Sequence, residues 1–228
     1  MTVDWSQVSL VVFDLDGTLY DQQPVRAAMA LALASAAVRR RRMDIIRILR
    51  EYRKTGENLP DAMPSHYGEF RFSQTARRCK CDEQLVRETV NQWMHIRPLP
   101  LLAKYRAQGI ETVFHRLRAS GRKIVIWSDY PVTEKLASLG LQAQACVWTG
   151  DGVVEQPKPD PQGLEHILQV AQVEPHQTLM IGDRFDRDFA PAAALSVPTL
   201  MRSRKRDERS PTFWRYTDPV FAPLLAGH

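Results

Sequence analysis

The chain has 228 residues, of which 44% are hydrophobic. This is enough to bury a full core and lies between the usual sizes of one and two domains, so we expect one core domain that carries an insertion. Three cysteines are too few for a disulfide framework, and the chain opens without a signal-peptide pattern, which predicts a reducing, cytoplasmic environment. The longest apolar run, 27–38, is shorter than the ~20 residues that a membrane span needs, so no membrane partner is expected.

The net charge of +5 is concentrated in two basic runs, 39–42 and 202–206. Clusters of this kind attract the phosphates of nucleic acids. Neither run is interleaved with aromatic residues or belongs to a nucleic-acid motif, so we expect solvated surfaces and no nucleic-acid partner.

Five short runs rich in β-formers predict strands. Several are apolar throughout, as is typical of a parallel sheet that is covered on both faces. Helical patterns separate the later runs, and this alternation predicts a doubly wound, Rossmann-like α/β core. The predicted strands are 10–14, 123–128, 145–149, 178–182 and 198–201, and the core helices are 112–120, 134–139 and 163–173.

A long interval separates the first two predicted strands. It is far longer than a βαβ unit of about 30 residues, so a segment is inserted there. This segment has helical patterns at 25–49 and 82–94 around a polar break at 55–64. We therefore predict an α-helical cap domain at 22–102 within a core domain formed by 1–21 and 103–228. The Pro/Asp/Arg-rich stretch after residue 202 predicts a loosely packed terminus.

Two aspartates directly follow the first strand, in the segment Asp14-Leu15-Asp16-Gly17-Thr18. Open α/β sheets bind ligands beyond the carboxyl ends of their strands. Burying two carboxylates so close together is costly unless a cation or a reaction needs them. An ordinary Asp-Gly turn would account for Asp16 and Gly17 but not for Asp14.

The D-x-D-G-T segment resembles the first motif of the haloacid dehalogenase superfamily, and three later segments match its other motifs in order. Ser128 ends the second strand, Lys158 opens a distinctive K-P-D-P sequence, and Asp183 follows a strand and a glycine. The chain thus resembles the phosphatases of this superfamily that carry a helical cap, subfamily I.

The resemblance implies a role for each residue. Asp14 would attack phosphorus, forming an aspartyl-phosphate, and ligate Mg²⁺. Asp16 would be the general acid/base and would offer its backbone carbonyl to the metal. Asp183 would complete the oxygen-rich site that Mg²⁺ prefers, while Ser128 and Lys158 would hold the phosphoryl oxygens.

Either Asp186 or Asp188 could complete the fourth motif. We favour Asp188, because its spacing from Asp183 matches the commoner, longer version of the motif, in which this acid lies behind the metal ligands or links to the lysine. The predicted acids of the metal site are therefore Asp14, Asp16, Asp183 and Asp188.

These residues predict a Mg²⁺-dependent phosphatase that hydrolyses a small phosphate monoester. A dehalogenase of this fold lacks the second acid, so Asp16 argues against that activity. A sugar phosphomutase has the same core motifs and stays open as an alternative. A non-catalytic phosphate-binding protein would be expected to lose an essential acid or Lys158.

The substrate is left open among sugar phosphates, phosphoglycolate and nucleotides, and no motif indicates whether the cap residues His66, Tyr67, Arg71 and Arg77 contact it.

Overall fold

The structure, a computed structural model, describes residues 3–40, 43–58, 60 and 64–226, apart from the side chains at 37 and 40. The basic run at 39–42 and the break predicted at 55–64 lie partly outside these residues. Among the described residues, no helix combines the length and the apolar character needed to cross a membrane.

The first strand, β1, is followed by a succession of helices that we call the helical insertion, residues 22–102. A π-helical turn, Asn91–Ile96, follows α4, and a 3₁₀ turn, Ala103–Tyr105, follows α5. The elements are β1 (Leu10–Phe13), α1 (Gln22–Arg40), α2 (Asp44–Glu57), α3 (Tyr67–Cys79), α4 (Glu83–Val90) and α5 (Leu99–Leu102).

The single helix predicted at 25–49 is wrong, because α1 ends and α2 begins within it. The apolar stripe of α2, which includes Ile48 and Tyr52, packs against α3, and a straight continuation of α1 could not provide this packing. The sequence patterns also did not predict α3.

The helix α4 begins after Asp82, which caps it by accepting a hydrogen bond from the Gln84 N–H at 2.6 Å.

The remaining elements build the sheet and its covering helices. They are α6 (Ile110–Ala119), β2 (Lys123–Ser128), α7 (Thr133–Ser138), β3 (Ala145–Trp148), α8 (Gln162–Ala171), β4 (Thr178–Gly182), α9 (Ala190–Ala194), β5 (Thr199–Arg202), β6 (Thr212–Phe213) and α10 (Ala222–Ala226). The five predicted strands form within one residue at each end, and β6 is an addition.

In the part of the chain that the structure describes, six parallel strands form one sheet in the order β3-β2-β1-β4-β5-β6, which confirms the predicted α/β fold class. Along β1, Val11 and Phe13 pack into one hydrophobic cluster, while Leu10 and Val12 pack into another on the opposite face. Burial on both faces explains why this strand is apolar throughout. The helical insertion has a third cluster of its own, centred on α2, α3 and α4.

Residues 203–209 are mostly exposed, whereas the segment from 210 onward packs against the core, so the prediction of a loosely packed terminus is wrong for this second part. Phe213, Tyr216, Phe221 and Leu224 are buried in the main hydrophobic cluster. Trp5 anchors the same region, because its indole N–H donates to the Val220 carbonyl at 2.7 Å. These aromatic side chains bury more apolar surface than the polar composition of the segment suggests.

We expect Phe221→Ala to lower the free energy of unfolding by about 3–5 kcal/mol, because Phe221 is fully buried and its ring lies 4.9 Å from that of Phe213. Urea denaturation measures the change. Val170→Ala is the control, since Val170 is 69% exposed and its truncation should change stability by less than about 0.5 kcal/mol. A loss below about 1 kcal/mol for Phe221→Ala would contradict the packing described here.

Candidate active site

The carboxyl ends of β1 and β4 bring two of the predicted acids to the same edge of the sheet. Phe13 is in register with Ile181, and the Asp14 N–H donates to the Ile181 carbonyl at 2.8 Å. Asp14 and Asp183 therefore leave adjacent strands at the same level. Gly17 allows the two loops to approach, because a Cβ at this residue would lie 2.2 Å from Asp183 Oδ2.

Lys158 is buried between two carboxylates. Its Nζ lies 2.8 Å from Asp14 Oδ1 and 2.7 Å from Asp188 Oδ1. Burial lowers the pKa of Lys158, but Asp14 and Asp188 raise that pKa by more, so this lysine is protonated. The other oxygen of Asp188 accepts the backbone N–H groups of Asp183 and Arg184, at 3.1 and 3.0 Å. Asp188 thus ties the lysine to the loop after β4.

Asp14, Asp183 and Asp188 each present a carboxylate oxygen, and these oxygens lie within 4.8 Å of one another. Burial, more than any other cause, raises the pKa of Asp14. Burial and then the nearby charge of Asp188 raise the pKa of Asp183 to about 7. A divalent cation would offset this repulsion, and a donor set made of oxygen atoms is what Mg²⁺ prefers, so the residues fit the predicted metal.

Asp16 has a different environment from Asp14. Lys135 Nζ lies 2.8 and 2.7 Å from its two carboxylate oxygens, and the Tyr20 hydroxyl also donates to it. Burial raises the pKa of Asp16, but Lys135 and Tyr20 together outweigh burial and hold that pKa below its ordinary value. The carboxyl of Asp16 is therefore ionised in this arrangement.

The Ser128 side chain is buried at the end of β2, and its Oγ accepts the Tyr130 N–H at 3.2 Å. It lines a cavity of about 90 Å³. The same cavity is lined by every residue that the sequence predicted for the site, namely Asp14, Asp16, Ser128, Lys158, Asp183 and Asp188. Asp186 does not line it and instead pairs with Arg184 at 2.7 Å.

Several residues at or beside this cavity were not predicted, including Lys135, which contacts Asp16 without lining the cavity. Lys135 follows Ser128 by seven positions in no recognisable motif, so the sequence carried no signal for it. Arg187 lies between the acids of the fourth motif, but nothing in the sequence indicated which groups its side chain contacts. Its guanidinium donates to the Lys158 carbonyl and, at 3.0 Å, to the Gly56 carbonyl of the helical insertion. Asp129 accepts the Lys158 N–H at 2.8 Å.

A family model described as haloacid dehalogenase-like hydrolase matches residues 8–195. The chain belongs to this family. It is therefore a hydrolase of the haloacid dehalogenase superfamily, as the four motifs predicted.

One curated protein and two solved structures illustrate what this hydrolase is similar to. Phosphoglycolate phosphatase of Rhodospirillum rubrum is 27% identical over 200 residues, which cover 85% of this chain and 78% of that protein. The structure of the HAD hydrolase YfnB of Bacillus subtilis, bound to magnesium, matches with a TM-score of 0.63 at 15% identity, over 95% of this chain and 98% of that one. A structure assigned as a β-phosphoglucomutase, from Thermotoga maritima, matches with a TM-score of 0.60 at 15% identity, over 96% and 97%. Likeness at this level of identity shows the fold alone.

We expect Mg²⁺ to raise the melting temperature of the hydrolase, and more so at pH 8 than at pH 5.5. In the metal-free folded protein the pKa of Asp183 is about 7, above its value near 4 in the unfolded chain. Protons therefore compete with the metal below about pH 7.

For the same reason, the metal-free protein loses stability as the pH rises from about 4 to about 7, because ionised Asp183 is disfavoured only in the folded state. Differential scanning fluorimetry across this pH range measures both effects.

Binding of Mg²⁺ at a concentration of 100 Kd would stabilise the folded protein by about 2.7 kcal/mol, and Asp183→Asn should abolish most of the resulting rise in melting temperature. Asp186→Asn is the matched control, because Asp186 has the same side chain on the same loop but lies outside the cavity. An equal loss of the shift in both variants would contradict a metal site at Asp183.

Proposed function

We propose that this hydrolase is a Mg²⁺-dependent phosphatase that acts on a small phosphate monoester through an aspartyl-phosphate at Asp14. The observation that carries the proposal is the environment of the Asp14 carboxylate. One of its oxygens accepts from Lys158 at 2.8 Å, the other accepts from Thr18 at 3.0 Å, and a second acid, Asp16, lines the same cavity. The phosphoglycolate phosphatase among its relatives supports the same reaction.

In the first half-reaction, Asp14 attacks phosphorus and the bond from phosphorus to the leaving oxygen breaks. A phosphate monoester is anionic, so the approach of a carboxylate is opposed by charge repulsion. Lys158 and Ser128 would hold the phosphoryl oxygens and offset part of that charge. Held by the carboxylates of Asp14 and Asp183 and by the backbone carbonyl of Asp16, Mg²⁺ would supply further positive charge at these oxygens.

Asp16 is proposed to give a proton to the leaving oxygen and then to take one from the water that hydrolyses the aspartyl-phosphate. The contacts from Lys135 and Tyr20 favour its ionised form, which suits the second of these steps. Protonation of an alkoxide leaving group requires the acid form, and the ion pair with Lys135 opposes it. A leaving group that needs a proton therefore requires Asp16 in its acid form, whereas a leaving group that departs without a proton does not.

We further propose that the helical insertion, residues 22–102, is a cap domain over a core formed by 1–21 and 103–228. The insertion has its own hydrophobic cluster, against which Tyr130 of the core also packs. Glu57 accepts two hydrogen bonds of 3.1 Å from Arg184, and Gly56 and Glu57 line the cavity that contains Asp14. A cap in this position would contact the leaving group.

A sugar phosphomutase would return the phosphoryl group to a bound sugar instead of to water. The resemblance to the structure from Thermotoga maritima gives this alternative no specific support, because at 15% identity it shows only the fold. An assay for bisphosphate-primed isomerisation of sugar phosphates separates the two activities, and the phosphatase proposal expects no isomerisation.

Asp14→Asn should reduce turnover of nitrophenyl phosphate below detection while the protein stays folded, since an amide is neither an adequate nucleophile nor an equivalent metal ligand. In the wild-type protein EDTA should abolish turnover and Mg²⁺ should restore it. Rapid quenching followed by mass spectrometry should find the phosphoryl group on Asp14. Asp186→Asn serves as the control with turnover close to wild type. Full activity without metal, or a phosphoryl group on another residue, would overturn the mechanism.

Asp16→Asn should separate substrates according to their leaving groups. For an alkyl phosphate we expect turnover to fall by about 10²–10⁴-fold, because the variant keeps the backbone carbonyl but loses proton transfer. Nitrophenolate leaves without a proton, so phosphorylation of Asp14 should be spared and the phosphorylated protein should accumulate. Rapid-quench kinetics with both substrates measure this. Equal, near-wild-type turnover of both would show that Asp16 is not the general acid/base.

A further inference from the structure

Arg71 of α3 is a buried arginine whose charge has no carboxylate partner among the described residues. Its side chain is 5% exposed. The guanidinium lies over the ring of Tyr52, 4.0 Å from the centroid, and 5.2 Å from the ring centroid of Tyr130. Aromatic faces attract a cation, but they do not replace the hydration or the ion pair that a buried guanidinium needs.

The hydrogen bonds of Arg71 leave part of its donor capacity free. Its Nη2 donates to the Tyr52 carbonyl at 3.2 Å and to the Tyr130 hydroxyl at 3.3 Å, and both acceptors are neutral. Its Nε is buried without an acceptor among the described residues. A buried N–H of a charged group without a partner is costly, so an acceptor supplied by a bound molecule would stabilise it.

Arg71 lines a cavity of about 280 Å³ between α3 and the loops that follow β2 and β3. This cavity adjoins the one that contains Asp14, because Asp129 and Tyr130 line both. Gly56 gives a second connection. It lines the cavity of Asp14, and a Cβ at this residue would lie 2.5 Å from Arg71 Nη2. The guanidinium therefore lies against the backbone that bounds the proposed phosphoryl site.

The acidic residues of the Arg71 cavity are already engaged elsewhere. Glu69 forms an ion pair with Arg87, and Glu155 lies 3.5 Å from His66. Asp129 accepts the backbone N–H of Lys158. None of these three acids forms an ion pair with Arg71, so the positive charge of Arg71 is available to a bound group.

His95 provides a second polar atom without a partner on the same cavity. Its Nδ1 is buried and has no hydrogen-bond partner among the described residues. Burial and then the charge of Lys135 lower the pKa of His95 to about 4, so the imidazole is neutral at pH 7. A neutral imidazole beside an arginine can donate a hydrogen bond to an anion without competing for a proton.

We propose that Arg71 binds an anionic group, a carboxylate or a second phosphoryl group, on the leaving part of the substrate. This inference rests on the proposed phosphatase function and narrows its substrate class to small phosphate monoesters that carry a second anionic group. The guanidinium suits this role because its planar set of donors forms strong, charge-assisted hydrogen bonds with carboxylate and phosphate oxygens.

The test compares kcat/KM for three phosphate monoesters of similar length. The leaving groups of 2-phosphoglycolate and ethane-1,2-diol bisphosphate carry a second anionic group, whereas the leaving group of 2-hydroxyethyl phosphate is uncharged. The wild-type hydrolase should prefer one or both substrates with the second anionic group, and the order of the two identifies the group that Arg71 binds. Arg71→Gln should lower the ratio of their kcat/KM to that of 2-hydroxyethyl phosphate by roughly 10- to 150-fold, mainly through KM, as expected for lost hydrogen bonds to a charged group. Arg77→Gln removes the same charge from the exposed side of α3 and should leave the ratio unchanged.

Other outcomes overturn the inference. An equal loss for all three substrates in Arg71→Gln would mean that Arg71 only supports the fold, and a wild-type preference for 2-hydroxyethyl phosphate would exclude an anion site. If Arg71→Gln does not fold, Arg71→Lys carries the test, because it keeps the charge but loses the planar donors and should lower the same ratio. Failure of the wild-type protein to hydrolyse these substrates and nitrophenyl phosphate with Mg²⁺ would instead overturn the proposed function, and this inference with it.

Discussion

The buried ion pairs of Lys158 are the interaction on which the rest of the site depends. Parallel strands end at a common edge, and here that edge collects Asp14, Asp183 and Asp188 in a space where their mutual repulsion is poorly screened. Lys158 bridges two of the three. Removing one partner of a buried pair typically costs about 3–5 kcal/mol, since it leaves an uncompensated charge, so these residues constrain one another for stability as well as for chemistry.

The backbone of the same lysine is connected to the helical insertion through the side chain of Arg187. Arg187 donates both to the carbonyl of Lys158 and to that of Gly56 at the end of α2. A shift of the insertion would therefore disturb hydrogen bonds of the backbone that carries Lys158. This physical connection gives a direct route by which a leaving group bound against the insertion could influence the phosphoryl site.

Two carboxylates only two residues apart have opposite pKa shifts. The pKa of Asp14 is raised, chiefly by burial, whereas Lys135 and Tyr20 outweigh burial at Asp16 and lower its pKa. Separation of this kind is how neighbouring acids take different roles in catalysis. Asp14 shares the single charge of Lys158 with Asp188, so a metal ion would supply further positive charge there, whereas Asp16 is paired with Lys135.

The sequence by itself determined the parallel sheet through its local apolar patterns, and it indicated the members of the acidic cluster through short motifs that resemble those of the superfamily. The apolar run of β1 indicates burial on both faces, and each predicted site residue lies close to a strand end or in a distinctive short motif. Only the tertiary structure decided the partners of those residues. Lys135 reaches Asp16 across 119 positions of the chain, and Arg71 is enclosed by tyrosines from α2 and from the loop after β2. The burial of Phe221 in a polar terminal segment is another feature that only the tertiary structure decided. These contacts join segments that are distant in the chain, and local periodicity carries no information about which distant surface a side chain meets.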